Sequence, residues 1–218
     1  MDLSLPQLIA VYALPLILGI TLHEAAHAWA ASLLGDQTAR MLGRVTLNPL
    51  KHIDPMGTIV VPGLMLLAAK MAGSVGGFFG WAKPVPVIWT NLRSPRRDMG
   101  LVAAAGPLAN ILMALGWALL LKGLLFYDIE EEFLRRMMMA GITVNLVLAA
   151  LNLLPILPLD GGRILVSLLP RKAGQALSSL EPYGMFILLG LVFTGILSSL
   201  IGPFVGLGVE LISSLFNF

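Results

Sequence analysis

Polar and apolar positions are sorted along this chain into long blocks: residues 8–34, 56–79, 101–121, 137–159 and 183–218 are almost wholly apolar, and charge collects between them. A helix over 8–34 would run about 40 Å at about 1.5 Å per residue, enough to cross a hydrocarbon layer with some tilt. Blocks 101–121 and 137–159 read as further crossings. Block 183–218 is interrupted by Gly202-Pro203 and reads as two short ones. Block 56–79 holds Pro62, Lys70 and several glycines. It either crosses once or dips in and returns as broken half-helices, and a lysine deep in one crossing favours the second option. The pattern predicts an all-α polytopic membrane protein with about five to six membrane segments, and a re-entrant or short β region between residues 40 and 90.

Charge refines the topology. Lysine and arginine mark the loops 35–55, 80–99 and 160–182 as cytoplasmic, and the acidic loop 122–136 as external. Two successive inner loops conflict with a single crossing by 56–79, so either that block re-enters or one loop breaks the charge rule. The start of the chain lacks a basic n-region, and His23, Glu24 and His27 interrupt the first block, which argues against a cleaved signal peptide. With 57% hydrophobic and 12% charged residues, a compact soluble enzyme is excluded by its own surface requirement. A net charge of +2 is too small for nucleic-acid binding. The absence of cysteine removes disulfides, thiolate metal ligation and cysteine nucleophiles. No repeat or long polar linker divides the chain, which reads as one domain over 1–218.

The chemistry begins inside the first block with His23-Glu24-Ala25-Ala26-His27. On a helix, positions i and i+4 share one face, so both imidazoles can meet one zinc ion. Glu24 sits about 100° further round, beside such an ion, where it can accept a proton from attacking water. A pair of packing histidines is the bland alternative. Burying a carboxylate and two imidazoles in hydrocarbon without partners is costly, which favours the metal.

A catalytic zinc site needs a third protein ligand. The remaining histidine, His52, lies in a loop and reads as solvated. Glu130, Glu131 and Glu132 fall on the opposite side, and Asp36, Asp54 and Asp98 stand near basic loop residues where they can simply be solvated. Asp160 is favoured because it closes the fourth block in Asn152-Leu-Leu-Pro155-Ile-Leu-Pro158-Leu159-Asp160-Gly161-Gly162. Blocks one and four both run inward, so Asp160 and the histidines arrive at the same level. Pro155 and Pro158 break the helix, and the glycines permit a tight turn or a close backbone approach to the metal.

The two motifs together resemble the site-2 protease family, zinc metalloproteases that cut peptide bonds within or near the membrane. The likeness covers about residues 15–165. It implies that His23, His27 and Asp160 are the zinc ligands, that Glu24 is the catalytic base, and that Asn152 assists substrate or transition-state binding. Ala105-Gly106-Pro107-Leu108-Ala109-Asn110 resembles the small-residue stretch of the family's intervening core helix, and Gly80-Trp81-Ala82-Lys83-Pro84-Val85 a loop of its short members. The chain leaves no room for the PDZ domain of longer members, so a short form is implied.

The expected function is a zinc-dependent endopeptidase of the cell membrane, with one Zn2+ per chain, a catalytic core over about 8–165 and membrane segments over about 183–216. Its active site should face the cytoplasmic half. Its partners are the lipid bilayer and a transmembrane protein substrate that must unwind to expose its carbonyl; self-association stays open. Residues 56–80 and Lys83–Pro86 are expected to contact or admit that substrate. Asn110 and Asn145 read as bundle hydrogen-bonding groups, with Asn110 near the metal as the sharper option. A transporter or metal-handling channel, or an inactive metal-bound scaffold, are the competing classes; the first lacks further intramembrane carboxylates, and the second has no need of Glu24.

Overall fold

The computed structural model describes residues 5–52, 54–60 and 83–218. Helix α1 (Leu5–Leu34) is followed by the single turn α2 (Thr38–Met41) and, after an irregular segment, by α3 (Pro95–Phe126) and α4 (Glu132–Asn152). Four further helices complete the described chain: α5 (Asp160–Leu168), α6 (Arg171–Ser178), α7 (Glu181–Phe193) and α8 (Ile196–Phe216).

Helices α1, α3, α4 and α8 are each long and apolar enough to cross a membrane, and α6 with α7, bent by 63°, would supply a fifth span if the pair counts as one. The described residues therefore hold four spans, or five, against the expected five to six. α7 alone has 13 residues, about 20 Å of helix, too short to cross unaided. The break within 183–218 falls at Thr194 and Gly195, where Gly195 adopts a left-handed φ of 75°, and not at Gly202-Pro203. Pro203 is carried inside α8. No β-strand occurs among the described residues, and the expected short β region is absent from them. Most of the Gly-rich block 56–79 lies outside the described residues; its beginning forms a π-helical turn at Pro55–Val60.

Helix α3 is central, packing on α1, α4 and α5. Its apolar face supplies Trp117 and Leu121 to a cluster completed by Met138, Ile142 and Leu146 of α4 and Ile212 of α8. Close approach is set by small residues, a common device where lipid removes the hydrophobic drive between helices. A Cβ on Gly141 would enter the Trp117 indole. The block 137–159 does not continue as helix to its end: α4 stops at Asn152, because residues preceding Pro155 and Pro158 are pushed out of helical geometry. The chain then folds back, and Gly161 and Gly162 are buried against this bend; a Cβ on Gly162 would lie 2.6 Å from Leu157 N. The two glycines let α5 pack on the backbone of Leu153–Leu157, the tight-turn alternative of the sequence reading.

Candidate metal centre

Three elements converge at one buried point. His23 and His27 stand one turn apart on α1, and Asp160 begins α5, delivered by the proline-broken bend. Their exposures are 7%, 9% and 9%. His23 Nε2 and His27 Nε2 are 3.0 Å apart, and Asp160 Oδ2 is 3.2 Å from the first and 3.3 Å from the second. α3 forms the wall behind them. A Cβ on Gly106 would lie 2.6 Å from His23 Nε2, so only glycine allows α3 to come this near.

The donor set can be tested for a metal from its own hydrogen bonds. His27 Nδ1 is 2.8 Å from the Val102 carbonyl, which can only accept, so the proton is on Nδ1 and the Nε2 lone pair is free. His23 Nδ1 donates to Asn110 Oδ1 at 2.6 Å, which leaves its Nε2 in the same state. Two lone pairs therefore face each other and a carboxylate oxygen, Asp160 Oδ2, that is buried with no hydrogen-bond donor. Without a cation this arrangement is repulsive. A tetrahedral zinc with bonds of about 2.0–2.1 Å places its ligand atoms about 3.3–3.4 Å apart, close to the observed edges. The residues fit a zinc ion, and among the described residues His23, His27 and Asp160 form the group able to hold a metal.

Glu24, on the same turn of α1, accepts from Val85 N at 2.9 Å. Val85 belongs to an irregular segment held along the end of α1. Asp36 accepts from Ile88 N at 2.6 Å, Asn91 Nδ2 at 3.2 Å and Thr38 Oγ1 at 2.5 Å. Burial would raise the Asp36 carboxyl, but these donors, with Thr38 N, outweigh it and hold the group below its ordinary value. Arg44 donates to the carbonyls of Lys83 and Pro84 at 2.8 and 3.2 Å. Asp36 is 0%, Asp98 4% and His52 1% exposed, so none of the three is the solvated loop residue its sequence neighbours suggested. Asp98 accepts from Ser94 N at 2.8 Å, and His52 Nε2 bonds Thr46 O at 3.0 Å.

Asn152 is half-buried, and its amide donates to Leu148 O within its own helix at 3.0 Å; the structure does not bring that donor onto the metal-facing atoms. Asn110, by contrast, touches His23 directly. Its sequence signal was a carboxamide four residues after Gly106 in an apolar helix. Asp54, Glu130, Glu131 and Glu132 stay out of the cluster.

Comparison with known proteins gives the family. The model of peptidase family M50 matches residues 127–195, the part that carries Asn152 and Asp160. "Putative zinc metalloprotease YwhC" of Bacillus subtilis is 37% identical over 216 residues, spanning 97% of this chain and 93% of its own. Rip2 of Mycolicibacterium smegmatis, under the same description, is 32% identical over 82% of this chain and 64% of its own. Rip2 of Mycobacterium tuberculosis H37Rv is 30% identical over 79% and 62%. No solved structure matches. A likeness that covers 93% of the B. subtilis protein, on a chain whose long helices are membrane spans, means that this polytopic protein belongs to peptidase family M50, the zinc metalloproteases of site-2 type.

Proposed function

We propose that the chain is a single membrane-embedded endopeptidase that cleaves membrane-spanning substrates within or near the bilayer, with one zinc held by His23, His27 and Asp160. The observation that carries this is the triangle of buried lone-pair atoms at 3.0, 3.2 and 3.3 Å with Glu24 on the same helical turn. Zinc bound there would supply Lewis acidity toward water and the scissile carbonyl.

The chain's own groups do the rest. Glu24 accepts the proton of the attacking water and returns it to the departing amine. Its bond to Val85 N keeps the carboxylate oriented beside the triangle until water or substrate takes that place. Asn152 donates to the oxyanion developing on the scissile carbonyl, after its amide turns from Leu148. Substrate must arrive extended, and Lys83–Pro86, which meets Glu24 through Val85 N, is a described part of the contact region. The active site lies toward the cytoplasmic half, because the basic loops 80–99 and 160–182 flank it.

The test joins zinc analysis to cleavage of a panel of model transmembrane peptides by purified wild type and Glu24→Gln. Glu24→Gln should keep its zinc and lose about 10²–10⁴-fold in cleavage. A wild type that binds no zinc, or a Glu24→Gln variant that cleaves normally, overturns the proposal; a transporter or scaffold would tolerate the substitution. Crosslinks from helical substrate to positions 83–88 test the contact region, and strong links confined to other faces would count against it.

A further inference from the structure

His23 owes its orientation to a chain of buried amides. Its Nδ1 lies 2.6 Å from Asn110 Oδ1. Asn110 Nδ2 donates to Gly19 O at 3.1 Å and to Asn145 Oδ1 at 3.0 Å. Asn145 Nδ2 in turn donates to Gly141 O at 2.8 Å. Asn110 and Asn145 are both 0% exposed, so no solvent competes for these bonds.

The direction of this chain follows from its ends. A backbone carbonyl only accepts. Gly141 therefore requires the NH2 of Asn145, which turns Asn145 Oδ1 toward Asn110. Gly19 and Asn145 both require the NH2 of Asn110, which turns Asn110 Oδ1 toward His23. An acceptor there requires a proton on His23 Nδ1. Reversing any amide would set like against like at a backbone carbonyl in a dry interior, where an unmet polar group costs on the order of 1–3 kcal/mol.

The alternative proton position is a competitor of metal binding. With the proton on Nε2, His23 would donate to Asp160 Oδ2, 3.2 Å away, satisfying the carboxylate without any ion. We infer that Asn110 and Asn145 are positioning residues for the metal centre: polarised by the carbonyls of Gly19 and Gly141, they hold the His23 proton on Nδ1 and keep its Nε2 lone pair directed at the ion. His27 needs no such relay, because the Val102 carbonyl does the same directly. The inference rests on the reading of His23, His27 and Asp160 as zinc ligands.

Ring-nitrogen spectra of metal-free protein labelled with 15N-histidine, taken in detergent at a pH where the imidazoles are neutral, read the tautomer without any metal or activity. Wild type should show His23 protonated on Nδ1; protonation on Nε2 overturns the relay. Asn110→Leu should move the proton to Nε2 and lower zinc affinity by about 10–100-fold. Asn110→Asp, which keeps an acceptor toward His23, should restore the Nδ1 proton and most of the affinity. A merely structural Asn110 gives the opposite order, since a buried carboxylate would harm the fold more than leucine. Asn145→Leu should have a smaller effect of the same sign, because Gly19 still orients Asn110, and it decides the matter should Asn110→Leu fail to fold. A zinc-loaded wild type with Asn110→Leu unchanged in tautomer and affinity sinks the relay alone. A wild type with the Nδ1 proton but no zinc uptake sinks the metal reading instead.

Discussion

Gly106 stands where any side chain would collide with the metal-facing imidazoles: a Cβ there would lie 2.6 Å from both Cε1 and Nε2 of His23 and would also overlap His27. Neither ring can retreat, since each is tied by Nδ1 to α3, at Asn110 and Val102. Gly106→Ala should therefore push α3 from α1 and weaken zinc binding by at least about 10–100-fold, the range seen when partners of metal ligands are lost; competition with a metal-sensitive dye measures it. Full retention would show that the two helices separate at no cost. At this scale the His23, Glu24 and His27 set was legible in the sequence because four residues make about one helical turn. Asp160 was legible because a carboxylate between prolines and glycines at the end of an apolar block has few structural uses. Asn110 was legible only as one option near the metal; its bond to His23 spans 87 residues and depends on how deeply α3 seats against α1.

Between helices, the segment 83–93 acts as a strap fastened to the end of α1. Arg93 N bonds Leu34 O at 2.9 Å, Ile88 N and Asn91 bond Asp36, and Val85 N bonds Glu24. Asp36→Ala leaves buried donors unmet and should cost on the order of 2–3 kcal/mol, with cleavage falling while zinc content holds, because the strap reaches Glu24 and not the ligands. The pH dependence follows from the lowered carboxyl. A group whose folded value lies below its ordinary 3.8 stabilises the fold fully above that value and loses the contribution as pH falls through the folded one. Unfolding followed between pH 5 and 2 should show acid destabilisation in wild type that Asp36→Ala lacks. Equal slopes would remove Asp36 from the account. Asp36 looked solvated in sequence because basic loop residues, Arg40 and Arg44, lie close by; tertiary contact with residues more than 50 positions away makes it an anchor.

Across the whole molecule, the candidate metal centre joins α1 to α5 while α3 backs both, so zinc bound there should brace the bundle as well as serve chemistry. Refilling chelator-stripped protein to about 100 times Kd should add about 2.7 kcal/mol, roughly 5–10 °C in Tm for a chain of this size. An unchanged Tm would mean the three side chains meet no ion in common. Orientation is open to a direct test because the chain has no cysteine: Glu130→Cys should react with an impermeant maleimide on intact cells, and Arg93→Cys only after permeabilisation. The reverse pattern would overturn the assigned sidedness. Membrane residence, the long spans and the one-turn spacing of His23 and His27 were determined by sequence alone, because apolar block length and helical spacing are local properties that bilayer thickness and turn geometry convert directly into structure. Tertiary structure alone decided where the helices break, which polar groups are buried and what holds each imidazole, because those depend on distances between segments remote in the chain. α4 ends at Asn152 and the C-terminal block divides at Gly195, and Asp36 and Asn110 gain their roles only once α1, α3 and the strap are packed together.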